Sequence, residues 1–465
     1  MRKENDSLGE VEVPEEAYFG AQTKRAQDIF KISGLTFPPV LIRALGLIKR
    51  RAARVNLSLG LLDREIAEAV IIAAGEVVEG RLADQFPLDV FQTGSGTSTN
   101  MNANEVIAGR ANEILTGRRG GKEPVHPNDH VNKGQSSNDV IPTAIRLAAL
   151  LLIRETLGPG LEKLLDALSG QARKLAPVAK IGRTHLQDAV PITLGQEFQG
   201  FARQIELALV RMRKAERELG VLPLGGTAVG TGLNTHPRFA AQVIAGLSGE
   251  LGLVLEEAKN HFEAQSAQDG LIAAGGELRT MALSLAKIAG DIRLLASGPR
   301  AGLGEINLPR LQPGSSIMPG KINPVVPEAV IQVTAQVLGN DLTLALGAQG
   351  GYFQLNTMLP VMAHNLLQSV ELLGAAAGLL ADKCVAGITP NRERCAQLIE
   401  GSLALSTYLV PVLGYDKAAA LAEEAYATGK TIREAALESG LLSPEEVDRL
   451  LAPAQNPASE ADHDG

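Results

Sequence analysis

QEFQGFARQIELALVRMRKAEREL, residues 196–219, places Phe198, Phe201, Ile205, Leu209 and Met212 at steps of three and four. That spacing predicts a helix with one continuous apolar face. Outward from it, Ile141–Leu175 is predicted as a second helix, starting after Asp139 as a cap with Pro142 in its first turn. Gly158-Pro159-Gly160 is the place where it could break. Gln268–Ser297 and Glu328–Gly347 read the same way. These segments are apolar over much of their circumference, so several are expected to be buried all round. A long bundle that also packs against other subunits meets that expectation. Up to about residue 135 the chain mixes shorter elements with polar loops. After Thr389-Pro390-Asn391 come shorter amphipathic helices and a polar tail, Pro453–Gly465, and no internal repeat is visible.

Composition points the same way. With 465 residues, 45% of them hydrophobic, the chain can bury a large core. Aromatics make up only 3% and Trp is absent, so Ala, Leu, Val and Ile must fill that core, which favours close-packed helices over a sandwich or barrel. A formal charge of −8 argues against a nucleic-acid partner, which needs a basic face. An anionic substrate then requires a locally positive site. The only cysteines, Cys384 and Cys395, support neither disulfide staples nor a zinc cluster and fit a reducing compartment. MRKENDSLGEVEVPEE at the start is too acidic and polar for a signal or transit peptide. The longest apolar runs, such as Leu147–Ile153, fall short of a membrane span, so a cytoplasmic protein is expected.

Between the helices lie polar, glycine-rich stretches: QTGSGTSTNMNANE (92–105), HPNDHVNKGQSSND (126–139), GRTHLQDAVP (182–191), LGGTAVGTGLNTHP (224–237) and GSSIMPGKINP (314–324). Plain connectors seldom concentrate Ser, Thr, Asn and His so densely, whereas loops that carry function do. In the last stretch, glycines permit movement and prolines restrict it, with Ser315, Ser316 and Lys321 between them. Gly320-Lys321 is not a phosphate-binding P-loop. Five residues separate it from Gly314, and Ile322 stands where Ser or Thr is required. His126, Asp129 and His130 could ligate a metal, but no zinc-protease pattern or cysteine supports that reading.

GSSIMPGKINP resembles the signature of the fumarase/aspartase superfamily, whose members eliminate fumarate from substituted succinates. GTSTNMNANE, HPNDHVN, QSSND, GRTHLQDAVP and GGTAVGTGLNTHP resemble the same superfamily in its order, so the similarity runs roughly from Gly9 to Leu451. The resemblance implies an all-α fold: a central bundle of long helices flanked by smaller N- and C-terminal domains, here 1–138, 139–390 and 391–465. It implies a homotetramer in which each active site draws on three subunits. It makes Ser315 the base that removes a proton beside a carboxylate. A serine can do this only if N–H donors and cations stabilise its alkoxide. By motif position Ser95, Gly96, Thr97, Ser136, Ser137, Asn138, Thr184, Ser316, Lys321, Ile322 and Asn323 bind the dicarboxylate substrate, each donor contributing about 3 kcal/mol at the transition state. His185 activates the water or protonates the leaving hydroxide, and Glu328 is its carboxylate partner, raising its proton affinity and fixing its tautomer. His126, Pro127, Asn128 and Asp129 match the superfamily's second anion site. No metal or other cofactor is implied.

The leaving group is a separate question. Thr93-Gly94-Ser95-Gly96-Thr97, Ser137 and Gly226 favour hydration, since ammonia-lyases of the superfamily tend to differ at those places. The stretches Asn323–Glu328 and Asn307-Leu308-Pro309 resemble ammonia-lyases as well. A catalytically inert structural homologue would be expected to have lost Ser315, Lys321, Asn323 or His185, and all four are present.

Overall fold

Leu194–Leu219 forms the helix that the spacing requires, and Phe198, Phe201, Ile205, Leu209 and Met212 are all buried. The computed structural model describes residues 1–455 and Pro457, so most of the expected polar tail lies outside the described residues. Seventeen α-helices make up the bulk of the described chain, and its ten strands are short and paired only two by two. The fold is all-α, as expected. Asp269–Leu295 and Val325–Ala348 match the other two long helices to within three residues at each end.

Ile141–Leu175 differs from its expected form. Helix Ser137–Leu152 starts earlier, because Ser136 is the cap: its Oγ accepts from Asn138 N at 3.3 Å while Asp139 accepts from Ser136 N at 2.9 Å. This capping box uses Asp139 as its third helical residue and places Pro142 inside the helix. Gly158-Pro159-Gly160 does not break the chain's course. A π-turn, Ile153–Leu157, precedes it, and Gly158–Leu175 follows with Pro159 near its start, where a missing N–H costs little.

Two compact units are present. One comprises Met1–Gly158, Val210–Ala282 and Thr334–Gly374, the other Pro159–Leu209, Leu283–Val333 and Ala375–Gly465. In the first, Pro39–Ser58 packs on Arg64–Val78 and on Ser137–Leu152, and Arg64–Val78 packs on Thr97–Thr116. Thr97–Thr116 is polar in sequence yet largely buried, because its amides and carboxylates hold neighbouring backbone. Glu105 accepts from Gly20 N, Gln22 N and Thr23 N at 2.9–3.0 Å, which anchors the start of helix Ala21–Ile29. Asn112 donates to Val125 O at 3.1 Å and accepts from Val125 N at 2.7 Å, fixing the approach to His126.

In the second unit, the stretch 182–191 is not a plain connector. Ala179–Thr184 and Gln187–Thr193 form an antiparallel hairpin, with His185 and Leu186 as its two turn residues at φ 56° and 61°. Two consecutive left-handed residues define the tight turn that suits strand twist. Farther on, Leu405, Leu409, Leu421, Ile432, Val447 and Leu451 form a separate apolar cluster that also takes in Ile181 of the hairpin.

Val325–Ala348 has the length and apolarity of a membrane span. Its Asn340, however, donates to Gln368 Oε1 at 3.0 Å and Ser369 Oγ at 3.1 Å, as in a helix packed against protein. Val337 and Leu344 are buried, whereas Leu342 and Leu346 are 61% and 52% exposed. The expectation of burial all round is therefore not met within one chain: these faces are covered on one side only.

Candidate active site

Two helix starts meet in the first unit. Gly96 caps Thr97–Thr116 in the left-handed region, at φ 74°, and a Cβ there would stand 2.9 Å from the side chain of Ile141. Only glycine lets the two helices approach so closely at that point. Asn100 Nδ2, one turn into the first helix, donates to Ser137 Oγ in the first turn of the second at 3.0 Å. Ser95 Oγ and Thr97 Oγ1 lie 2.7 Å apart. The predicted substrate residues Ser95, Gly96, Thr97, Ser136, Ser137 and Asn138 thus cluster at two adjoining helix N-termini, where unpaired N–H groups favour carboxylates.

Asp139, buried below them, ties in another stretch. Its Oδ2 accepts from Gly225 N at 2.9 Å and Thr227 N at 3.1 Å, while Asn138 Nδ2 donates to Ala228 O at 2.8 Å. Burial pushes the Asp139 carboxyl up, against these donors and Lys49, which lower it. Gly226, singled out above, leaves no room for more: a Cβ would stand 2.1 Å from Gln265 Oε1, in a side chain fixed by its bond to Thr227 O. Asp139 entered the sequence reading only as a helix cap. Its second role has no local signal, since its partners lie about ninety residues on.

The stretch 314–324 belongs to the second unit. Gly314 N donates to Lys321 O at 2.8 Å and Asn323 Nδ2 to Gly314 O at 2.6 Å, closing residues 314–323 into a compact turn. One of the two Asn323 amide hydrogens is thereby occupied. Inside the turn, Ser315 Oγ accepts from Ile317 N at 3.2 Å and Met318 N at 3.0 Å. Ser316 and Lys321 are exposed, and Ile322 and Asn323 are half-buried. Glu328 lies in the first turn of Val325–Ala348, with Arg293 Nη2 4.0 Å from its carboxylate.

Thr184 and His185 stand at the exposed tip of the hairpin. The left-handed His185 is the kind of strained position that accompanies function. Among the described residues no ion pair joins His185 to Glu328 within the chain. The hairpin's base is held by a group that the sequence reading missed. Glu305, fully buried, receives Arg183 through two bonds of 2.9 and 3.0 Å and lies 3.3 Å from Lys180, which also pairs with Glu197 at 2.9 Å.

His126 heads the π-turn Pro127–Val131. Its Nδ1 accepts from Asn128 N and Asp129 N, both at 3.2 Å, so these two donors are engaged by the imidazole. His130 Nδ1 accepts from His126 N at 2.9 Å, and burial lowers the affinity of His130 for a proton. No group of three or more His, Cys, Asp or Glu arranged to hold a metal occurs among the described residues.

The donor-rich helix N-termini at Thr97 and Ser137 lie in the first unit, and Ser315 Oγ with its two amides and the left-handed His185 lie in the second. A family model described as Lyase matches residues 9–339, and one described as Fumarase C C-terminus matches residues 405–455. The class II fumarate hydratase of Neisseria meningitidis is 51% identical over 97% of this chain and 98% of that protein. The mitochondrial fumarate hydratase of Mus musculus is 52% identical over 97% of this chain and 90% of that protein. The crystal structure of recombinant class II fumarase from Schistosoma mansoni superposes with a TM-score of 0.94 at 39% identity, covering 98% of each chain. The chain belongs to the lyase family, and within it to the class II fumarate hydratases.

Proposed function

We propose that this enzyme reversibly hydrates fumarate to (S)-malate, by anti addition and elimination through an aci-carboxylate intermediate, as a step of the tricarboxylic acid cycle. In the dehydrating direction the Ser315 alkoxide takes a proton from the carbon beside one carboxylate. The electron pair moves into that carboxylate, giving a doubly charged enediolate. Collapse of this intermediate forms the double bond and expels hydroxide from the adjacent carbon, and a proton passed from His185 converts the hydroxide to water. Glu328 holds that histidine. Thr97, Ser136, Ser137, Asn138, Thr184, Lys321 and Asn323 bind and neutralise the two carboxylates.

The observation that carries this reading is the pair of amides on Ser315 Oγ. A serine must lose its proton to act as a base, and donors already aimed at its oxygen favour the anion. Ser315→Ala is expected to lower kcat by at least about a thousandfold while the assembly stays intact, an effect of the size seen when a catalytic donor or base is lost. A near-normal rate in this variant removes Ser315 as the base.

The active enzyme is a homotetramer, with segments 1–138, 139–390 and 391–465 as its three domains and the bundle of the second at the centre. Exposed leucines such as Leu342 and Leu346 on an otherwise apolar helix support subunit packing there. In such an assembly the His185 of one copy meets the Glu328 of another. His126, Pro127, Asn128 and Asp129 form a second anion site whose donors are His126 Nε2 and the Asn128 side-chain amide, since His126 Nδ1 engages the backbone amides of Asn128 and Asp129. Cys384 and Cys395 are free and buried, their thiols pushed up to about 12 and about 11, which suits unreactive thiols in a cytoplasmic setting.

A further inference from the structure

A fully buried cation lies beneath the two helix starts. Lys49 sits on the stripe of helix Pro39–Ser58 that also carries Leu45, Ala52 and Asn56, and its Nζ donates to Asn132 Oδ1 at 2.8 Å. Asn132 Oδ1 accepts from Asn100 Nδ2 as well, at 3.3 Å, and the same Asn100 amide donates to Ser137 Oγ at 3.0 Å. Among the described residues Lys49 has no carboxylate within ion-pair distance, and Asp139 spends its oxygens on Ser136, Gly225 and Thr227. Burial pulls the Lys49 ammonium down to about 7, with Asp139 opposing this from a distance. An apolar side chain would be easier to bury there. Stability alone does not account for a lysine.

The directions of the bonds offer a reason. Lys49 Nζ is the donor in its bond to Asn132 Oδ1, and in its ammonium form it cannot accept. It therefore holds Asn132 with its oxygen inward and its amide on Gln135 O, at 3.2 Å. Facing that oxygen, Asn100 must present its NH2 group, whose two hydrogens serve Asn132 and Ser137. Ser137 Oγ accepts at this point, so its own proton is free to be donated outward. We propose that Lys49 is a positioning residue: through Asn132 and Asn100 it orients the Ser137 hydroxyl as a donor to a substrate carboxylate. The proposal rests on the reading of Ser137 as a carboxylate binder.

The test compares Lys49→Met, Ser137→Ala and the double variant in the full-length enzyme, with fumarate as substrate. Each single change is expected to lower kcat/KM about a hundredfold, the value of one preorganised donor, through a KM raised about tenfold and a kcat lowered about tenfold. The double variant should show a KM no higher than that of Ser137→Ala alone, because both changes remove one donor. A purely structural lysine would lower the melting temperature and leave the KM-to-kcat split unmoved. If Lys49→Met does not fold, Asn100→Ala combined with Ser137→Ala carries the same comparison. KM increases that multiply in the double variant overturn the relay. So does a KM raised by Ser137→Ala but not by Lys49→Met. A KM unmoved by Ser137→Ala removes the carboxylate-binding reading itself.

Discussion

A serine acts as a base only where its surroundings favour an anion, and Ser315 Oγ accepts from two backbone amides of its own loop, Ile317 N and Met318 N. The same physics operates at Asp89. Burial alone would raise its carboxyl, yet Ser33 N, Gly34 N and Phe91 N, at 2.7–2.9 Å, and the Ser33 hydroxyl hold it at about 2. Its folded-state value is therefore depressed below the ordinary 3.8. The stability it lends is fully present above pH 3.8 and is lost as pH falls towards 2. Asp89→Asn is expected to cost about 2 kcal/mol near neutrality and to flatten this part of the acid limb. Chemical denaturation across pH 2–7 reads both, and an unchanged acid limb would show that the donors do not hold the charge.

Single elements set where the chemistry can happen. Hairpin 179–193 projects His185 on a left-handed turn, and its base is clamped by Glu305 through Arg183 and Lys180. Glu305→Gln leaves Arg183 without its buried counter-charge and Lys180 with Glu197 alone, and is expected to cost about 3–5 kcal/mol, the usual effect of breaking such a pair. It should also lower kcat about tenfold or more by loosening the turn, with KM little changed. Calorimetry and steady-state rates on one preparation check this, and an unaltered melting temperature would contradict it. This hairpin was read as a polar loop because His-Leu is not a usual turn pair and its strands alternate weakly. The long helices were legible because Phe198, Ile205 and Leu209 keep a strict period. QTGSGT and QSSND were not legible as helix starts, since serine and threonine serve caps and loops alike. Lys49 left a trace: a lysine within an apolar stripe, seven residues before Asn56 on the same face. Glu305 left none, its partners at 180 and 183 lying more than a hundred residues away.

At the scale of the whole molecule, no ion pair joins His185 to Glu328 within one chain among the described residues, and the proposed homotetramer is what would pair them between copies. On that proposal, activity is expected to depend on assembly. Diluted until sedimentation shows only monomer, the enzyme is expected to lose turnover, and monomer retaining full activity would contradict the shared site. In the sequence, the choice of water over ammonia is read from residues outside the loop, Thr93–Thr97, Ser137 and the tightly enclosed Gly226. The purified enzyme should be incubated with fumarate in the presence and absence of ammonia and the product identified. The expected result is malate, formed at the same rate without ammonia. Aspartate formed only when ammonia is supplied would contradict it.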